Sequence, residues 1–392
     1  MNSGTQWKKI HFIALARALS LLGTELTLFT LVFREKDFGP ASVAAIFIVG
    51  AVPAIALSPL TGWMADRFST KSIIPAFALV GASAVALQFQ RMDSWIVLTL
   101  LAVSTSCGLA VANAWGKVIR DLASESDYGQ AFGVVQTYFG LAMLAGPFLA
   151  GILVSQTGYG LTFVIDALLT GFVALVPFIA RVNFVPEKAG GPEKLKIAGG
   201  FQLLFTDRFL RSITTLVFAM LFCVGVVNVG DVFLLTDQLK ADALIYGLVG
   251  GGFALGTVLA SVVVAKLKFS EKVQYSLLGC GFGTISIAGV LVGLAPNYWF
   301  VLGVWFFAGL GNAMVNSYGV GIMTKRIPMQ LQGRTFAAFS GVTSVAAISS
   351  HAIAGFALEV IDVRTLFISA GILAMLCFAL LFPNLIKAGM GS

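Results

Sequence analysis

Charged residues are scarce in this sequence. Asp, Glu, Lys and Arg together make up 11% of the 392 residues, while 58% of the residues are hydrophobic. A typical soluble domain has about 25% charged and about 45–50% apolar residues, so this chain has too little polar surface to coat a water-soluble globule. The surplus apolar surface must face lipid, which accepts it without the cost that water imposes. The composition therefore excludes a soluble domain and predicts an integral membrane protein.

Motifs that carry chemistry are absent as well. The sequence has no Gly-rich Lys-Ser/Thr phosphate loop, no cluster of metal ligands and no nucleophile–base arrangement. We therefore expect no cofactor, no metal and no enzymatic activity, and we do not expect ATP-driven pumping. The four cysteines lie far apart inside apolar runs, which favours packing residues over disulfides. The net charge of +7 sits in short loops between apolar runs, so it indicates membrane orientation signals and no nucleic-acid partner.

The apolar runs are long enough for about twelve transmembrane helices, since one crossing takes about 20 apolar residues. The predicted spans are 10–33, 42–64, 72–90, 95–117, 130–155, 160–181, 209–236, 243–267, 273–294, 298–324, 332–358 and 364–386. An even number of spans puts both termini on one side, and that side holds 19 of the 25 Lys and Arg residues, against five opposite. Because cytoplasmic loops are rich in Lys and Arg, we expect both termini in the cytoplasm, with the chain in the cell membrane.

The chain divides into two halves that repeat each other. Residues 182–208 form the longest interruption and are predicted to be a cytoplasmic linker between a six-helix bundle at 1–181 and another at 209–392. Four small or amide residues recur about 203 positions later in the second half: Gly108, Ala110, Asn113 and Gly116 as Gly311, Ala313, Asn316 and Gly319. We therefore predict an all-α membrane protein of two pseudo-symmetric six-helix bundles. Internal repeats of this kind are common in secondary transporters.

The loop between the second and third spans resembles the signature loop of the major facilitator superfamily. That signature has a glycine, an acid–base pair four residues later and a further basic residue. The matching residues here are Gly62, Asp66, Arg67 and Lys71. Gly62 would let neighbouring helices approach closely. Asp66 would cap the next element or pair with a base from a neighbouring cytoplasmic end, and such a pair can act as a conformational latch between two states. The alternative is a turn whose solvated charges only set the orientation.

The fifth span resembles the Gly-Pro motif that marks exchangers within this superfamily. It contains Gly140, Gly146, Pro147 and Gly151. Proline removes a backbone donor and bends a helix, and the glycines would allow tight packing beside the bend. The resemblance implies export, by exchange, in place of uptake. The alternative is an ordinary kink, because Gly and Pro are frequent in membrane helices.

The first span carries two charged residues that membrane helices rarely hold, Arg17 and Glu25. A carboxylate at the membrane centre costs about 2.5–3.5 kcal/mol on insertion scales. We therefore expect Glu25 to face a cavity and to be protonated part of the time, as a proton-coupling group must be. The alternative is a structural hydrogen bond or an ion pair with Arg17. Arg17 itself would reach for the cytoplasmic surface, or would pair with Glu25 or with a substrate anion.

Other polar residues inside the spans are weaker candidates. Asp231 and Asn228 lie three residues apart, on one face of the seventh span, although Asp231 could also be a solvated residue near the helix end. Asp166 is a coupling candidate or an acceptor of a hydrogen bond between helices, and His351 is a titrating or a packing residue. The intramembrane amides would line a cavity or bridge helices: Asn113, Gln136, Asn312 and Asn316.

The first span and the compact length resemble the bacterial drug exporters that include macrolide, tetracycline-like and enterobactin efflux proteins. This resemblance implies proton-coupled efflux of lipophilic or amphipathic small molecules by alternating access. The expected partners are protons, a small lipophilic substrate and the lipid bilayer, and we expect the chain to act as a monomer. The alternatives are a lipid or lysophospholipid translocator of the same fold and, more remotely, a receptor that does not transport or an intramembrane enzyme.

Overall fold

The computed structural model describes residues 4–90, 92–124, 127–184, 198–267, 269–328 and 331–390. Every regular element within these ranges is helical, so the predicted all-α fold is confirmed. Among the described residues, eleven helices are long and apolar enough to cross a membrane, and a bent pair brings the number to twelve if it counts as one span. The span count read from the sequence is therefore supported.

The chain forms two compact units, Met1–Glu35 with Ile48–Glu193, and Lys36–Phe47 with Lys194–Ser392. The helices up to residue 184 are α1 (Trp7–Glu35), α2 (Pro40–Ala56), α3 (Ser58–Arg67), α4 (Thr70–Leu87), α5 (Ser94–Leu122), α6 (Tyr128–Thr157), α7 (Gly160–Val173) and α8 (Val176–Ile179). The helices from residue 198 onwards are α9 (Ala198–Thr206), α10 (Arg208–Phe233), α11 (Ala243–Lys266), α12 (Glu271–Gly293), α13 (Tyr298–Arg326), α14 (Gln332–Ala357) and α15 (Val363–Met390). The start of α2 belongs to the second unit, where Ala44 packs against Gly355 of α14.

Two predicted boundaries need correction. The predicted continuous second span is broken, because helical segments Pro40–Ala56 and Leu60–Arg67 are bent by 52° to each other. The sequence carries Pro53 inside α2 and a proline in the first turn of α3, and a proline cannot donate the backbone hydrogen bond that a continuous helix needs. The last part of the predicted linker forms the short helix α9, while its central residues, 185–197, lie outside the described residues.

The same helix pairing occurs in both units. In the first unit, α1 packs against α6 and α7, and α4 packs against α5 and α7. In the second unit, α10 packs against α14 and α15, and α12 packs against α13 and α15. The repeat read from the sequence is therefore also a repeat in packing. It places α1 and α10, which carry the acidic candidates, in corresponding positions of the two units.

Small residues allow the closest helix contacts in the second unit. At Gly309 of α13, an added Cβ would meet the carbonyl oxygen of Phe253, and at Gly256 of α11 it would meet that of Phe306. Because the atoms on the other side are backbone, neither position can take a larger residue without moving a helix. Gly256 and Gly309 therefore allow α11 and α13 to approach at the level of their backbones.

Candidate functional site

Glu25 of α1 lies against the Gly-Pro motif of α6. The Glu25 Cβ occupies the space where a side chain at Gly146 would have to be, so only glycine at this position lets the two helices meet here. The Glu25 side chain is partly buried. Within the described ranges no hydrogen bond or ion pair holds its carboxyl. The structure thus joins two sequence candidates that were identified independently.

The other residues of the Gly-Pro motif differ in their surroundings. α6 runs as one helix from Tyr128 to Thr157 with Pro147 inside it. Gly151 is buried, whereas a Cβ at Gly140 would meet nothing within 4 Å. The predicted tight packing beside the proline therefore holds at Gly146 and is wrong at Gly140.

Arg17 does not pair with Glu25. The two residues are eight positions apart in α1, which is about 12 Å along the helix axis. The Arg17 guanidinium lies instead over the ring of Phe139 of α6, with its central carbon 4.9 Å from the ring centroid. The predicted alternative of an Arg17–Glu25 ion pair is therefore wrong for this structure.

Asp166 of α7 joins α1 to α7 through hydrogen bonds. Its side chain is 2% exposed, one carboxyl oxygen accepts from the Thr27 hydroxyl at 2.6 Å, and the other accepts from the Thr170 hydroxyl at 3.0 Å. Gly23 of α1 leaves room for it, because a Cβ there would lie 2.6 Å from Asp166 Oδ1. This geometry matches the structural alternative, an acceptor between helices.

The expected signature loop is largely helical, because Gly62, Asp66 and Arg67 lie in α3 and Lys71 lies in α4. Its residues form one ion pair and two aromatic contacts. Asp66 pairs with Lys117 of α5, a base at a neighbouring helix end, as one of the two predictions for Asp66 proposed. Arg67 lies over the ring of Trp63, 5.4 Å from its centroid. Lys71 lies over the ring of Phe178, 5.8 Å from its centroid. Lys117 was missed as a partner, although its place at the end of an apolar run was a usable signal.

Gly62 does not have the role that the sequence suggested for it. A Cβ at this position would meet nothing within 4 Å. The prediction that Gly62 permits a close helix approach is therefore wrong. The polar contact nearby is made by its neighbour, because Thr61 Oγ1 accepts a hydrogen bond of 2.9 Å from Asn113 Nδ2 of α5. Asn113 thus bridges two helices.

Asp231 of α10 is the corresponding acidic residue of the second unit. Its Oδ1 accepts a hydrogen bond of 3.2 Å from Trp305 Nε1 of α13, and Tyr246 of α11 is close enough to interact with it electrostatically. Phe253 completes the aromatic surroundings, since its ring meets that of Trp305 edge to face at 6.3 Å. The alternative of a solvated loop-end residue is wrong, because the carboxyl is held among these side chains.

Asn228 contacts a different helix. Its Nδ2 lies 3.3 Å from His351 Nε2 of α14, and the Phe47 ring lies 5.0 Å from the His351 ring. The His351 side chain is 7% exposed, and no described group reaches its Nδ1. Asn228 and Asp231 share one helix face, but their partners lie on α14 and α13, so the contacts do not make a single cluster.

The remaining amide candidates are more loosely held. Asn316 Nδ2 donates to the backbone oxygen and to the Oδ1 of Asn312, one turn earlier in α13, at 2.9 and 3.0 Å. Gln136 is exposed on α6. Across the described ranges, no three His, Cys, Asp or Glu side chains are placed so that they could hold a metal ion.

Comparison with known proteins adds an independent line of evidence. The sequence profile of the Major Facilitator Superfamily matches residues 13–236 and 229–388. The MFS-type transporter YfiS of Bacillus subtilis is 24% identical over 362 residues, which cover 90% of this chain and 86% of YfiS. The class G tetracycline resistance protein of Vibrio anguillarum is 23% identical over 315 residues, which cover 78% of this chain and 77% of that protein.

A solved structure agrees at the level of the fold. The nucleoside transporter NupG superposes with a TM-score of 0.72 at 12% identity, over 97% of this chain and 98% of NupG. At this identity the likeness concerns the fold alone. Because the family profile matches nearly the whole of a chain whose described helices fit a multi-pass membrane protein, this protein belongs to the Major Facilitator Superfamily of membrane transporters.

Proposed function

We propose that this transporter is an exporter that exchanges protons for lipophilic or amphipathic small molecules by alternating access. The observation that carries the proposal is Glu25. The residue is partly buried in a transmembrane helix, its Cβ and Cγ pack against Gly146 of an exchanger-type motif, and no described residue bonds to its carboxyl. The name of the Vibrio anguillarum relative, a tetracycline resistance protein, supports export over uptake.

An unpartnered carboxyl is suited to carry protons. Asp166 must break two hydrogen bonds to change its surroundings, whereas Glu25 can gain or lose a proton without breaking a contact with a described residue. When Glu25 is charged, it favours a state in which water reaches it. When it is protonated, it tolerates a state in which it is packed among apolar groups. Proton loading therefore biases the equilibrium between the two states.

The size of this bias can be stated. Placing a charged carboxylate in the membrane centre costs about 2.5–3.5 kcal/mol. Since about 1.4 kcal/mol is a factor of ten, protonation of one such group shifts a two-state equilibrium roughly 100-fold. A change from 1:99 to 99:1 needs about 5.5 kcal/mol, so one carboxyl supplies about half. We therefore propose that substrate binding supplies the rest, with the Asp66–Lys117 pair as a latch that forms in one state only.

We further propose a bacterial cell membrane as the location, with both termini in the cytoplasm and a single chain as the working unit. The Lys and Arg bias of the predicted loops supports this orientation.

The replacement of Glu25 by glutamine tests the coupling role. Glutamine keeps the size of the side chain but cannot exchange a proton. Purified Glu25→Gln protein in proteoliposomes should lose the efflux of tetracycline that an imposed pH gradient drives. Glu359→Gln, the same change at an exposed residue beyond the end of α14, is the matched control and should behave like the unchanged protein.

Undiminished gradient-driven efflux by Glu25→Gln would rule out Glu25 as the coupling group.

The contact between Glu25 and Gly146 provides a second test. Gly146→Ala should reduce efflux strongly, because the added Cβ and the Glu25 side chain cannot occupy the same space. Gly140→Ala in the same helix is the control, because a Cβ there meets nothing within 4 Å. Equal activity of the two variants would show that the Glu25 environment does not limit transport.

A further inference from the structure

Arg17 is a cation in a transmembrane helix, and no acidic side chain among the described residues forms an ion pair with it. We propose that Arg17 binds the acidic group of a transported amphipathic anion, such as a carboxylate, sulfonate or phosphate that carries an apolar body. This inference rests on the proposed export function and specifies part of its substrate class.

The helices around Arg17 provide no acid to neutralise it. α6, on which its guanidinium rests, has no charged residue in its 30 positions. On α7 the carboxyl of Asp166 is engaged at both oxygens by threonine hydroxyls. On α1 itself Glu25 lies about 12 Å away along the axis. Glu35 at the far end of α1 is held by Arg34 and Ser94.

The depth of Arg17 argues against a side chain that merely reaches for the membrane surface. The residues between Lys9 and Arg34 centre on positions 21 and 22, so the Arg17 Cα lies about 7 Å from the middle of that stretch. The guanidinium lies over Phe139, which is about 5 Å from the middle of α6 (Tyr128–Thr157). Half of the hydrocarbon core is about 15 Å thick. The charge is thus held at depth.

The hydrogen-bond donors of Arg17 have no partner among the described residues. The central carbon of the guanidinium lies over the Phe139 ring, 4.9 Å from its centroid. A guanidinium carries its five N–H donors in its plane, pointing outwards, and this fork matches the two oxygens of an acidic group. In the described part of the chain, no carbonyl or carboxylate accepts from these donors. A guanidinium that lies over an aromatic ring, with donors that no described group occupies, is suited to bind an anion.

Aromatic side chains next to Arg17 would contact the apolar body of such a ligand. Phe139 is partly exposed, and the preceding Tyr138 is partly exposed as well. The Tyr138 hydroxyl lies 3.4 Å from His11 Nδ1, one to two turns before Arg17 in α1, and the two rings meet edge to face. The ligand class is therefore an organic anion with an aromatic or alkyl portion, as opposed to a small inorganic anion.

A set of probes with one apolar body and different charge tests the proposal. We would measure binding of naphthalene-1-sulfonate and of 1-naphthylmethylammonium to the full chain in lipid nanodiscs, without any pH gradient. The readout is the ratio of the two affinities. Arg17→Gln should lower the preference for the sulfonate at least 10-fold, and Arg17→Lys should give a smaller loss, because a lysine keeps the charge but not the fork. Phe139→Leu should also reduce the preference by a smaller factor.

The lipid composition of the nanodiscs separates two sources of the anion. If the natural ligand is a lipid headgroup, phosphatidylglycerol or its lysolipid should compete with the sulfonate in the unchanged protein and not in Arg17→Gln. If it is a soluble organic acid, anionic lipid should not compete. Either result supports an anion site at Arg17.

An unchanged affinity ratio in Arg17→Gln would overturn the inference, and so would an equal loss for both probes. Because this experiment uses no gradient, its failure is distinct from failure of the Glu25 efflux test.

Discussion

Replacement of Asp166 by alanine should lower the stability of the first unit. The Asp166 carboxyl accepts hydrogen bonds from Thr27 of α1 at 2.6 Å and from Thr170 of α7 at 3.0 Å. Alanine removes both acceptors, so the buried Thr27 hydroxyl loses its partner on α7, while the Thr170 hydroxyl keeps only that of Ser20, at 3.1 Å. It also leaves the space beside Gly23, in which the carboxyl lies, without a side chain to fill it.

The expected loss of unfolding free energy can be bounded from the measured contributions of hydrogen bonds in membrane proteins. Double-mutant cycles there give about 0.6 kcal/mol for an average hydrogen bond between side chains and about 1.7 kcal/mol at most. Two such bonds contribute about 1–3 kcal/mol. Each kcal/mol shifts the midpoint of thermal unfolding by about 2–4 °C for a unit of this size. Asp166→Ala should therefore lower that midpoint by roughly 5 °C.

The chain contains suitable reporters for this measurement. Cys107 is buried in the first unit and Cys223 is buried in the second. A thiol-reactive fluorophore reacts with either one only after local unfolding. Two backgrounds, each with one of these cysteines as the sole thiol, would report the unfolding of each unit in detergent. Asp166→Ala should lower the midpoint reported by Cys107 more than the midpoint reported by Cys223.

Asp166→Asn separates structure from proton coupling. An asparagine keeps one acceptor oxygen and adds an amide that can donate hydrogen bonds to the threonine hydroxyl oxygens. Asp166→Asn should therefore lower stability much less than Asp166→Ala and should leave gradient-driven efflux intact. Thr27→Val removes the bond between the helices from the other side and should not add its full cost to Asp166→Ala. An unchanged midpoint in Asp166→Ala would refute the account of Asp166 as a structural link.

Two further predictions concern helix packing in the second unit and the ion pair between α3 and α5. Gly309→Ala should sharply reduce the yield of folded protein in size-exclusion chromatography, because the added Cβ meets the backbone of α11. Gly303→Ala in the same helix should not reduce the yield, because a Cβ there has open space. Equal yields of the two variants would contradict the packing argument. Asp66→Asn and Lys117→Gln should each slow transport. Both should change the unfolding midpoint little, because exposed ion pairs contribute only about 0–1 kcal/mol to stability. Additive effects of the two changes on the transport rate of the double variant would show that the pair does not act as a unit.

The sequence was most informative about the transmembrane helices. A helix must cross a hydrocarbon layer of fixed thickness, so the lengths of the apolar runs alone predicted elements that the structure confirms. The second span shows the limit of this signal. Apolar composition continues through it, but the 52° bend depends on Pro53 and on the packing around the break, which average hydrophobicity does not record.

The contact partners of the polar residues were harder to predict than the positions of these residues in the helices. Asn113 and Asn316 occupy the same place in the two repeats, yet Asn113 donates to Thr61 of another helix while Asn316 donates to Asn312 of its own. Which neighbour an amide reaches depends on the rotation and separation of the helices, and a shift of one or two ångströms changes the answer. For the same reason the sequence left open whether Arg17 meets Glu25, a substrate anion or the membrane surface, and it did not predict the contact with Phe139.

The three intramembrane carboxyls differ in how firmly the protein holds them, and this difference orders their expected roles. Asp166 accepts two hydrogen bonds, Asp231 accepts one from Trp305, and Glu25 accepts none from the described residues. Each hydrogen bond to a carboxyl must be broken or rearranged when that carboxyl changes charge or surroundings. Gradient-driven efflux should therefore fall most in Glu25→Gln, less in Asp231→Asn and least in Asp166→Asn. The reverse order would mean that firmly held carboxyls, and not free ones, carry the proton in this protein.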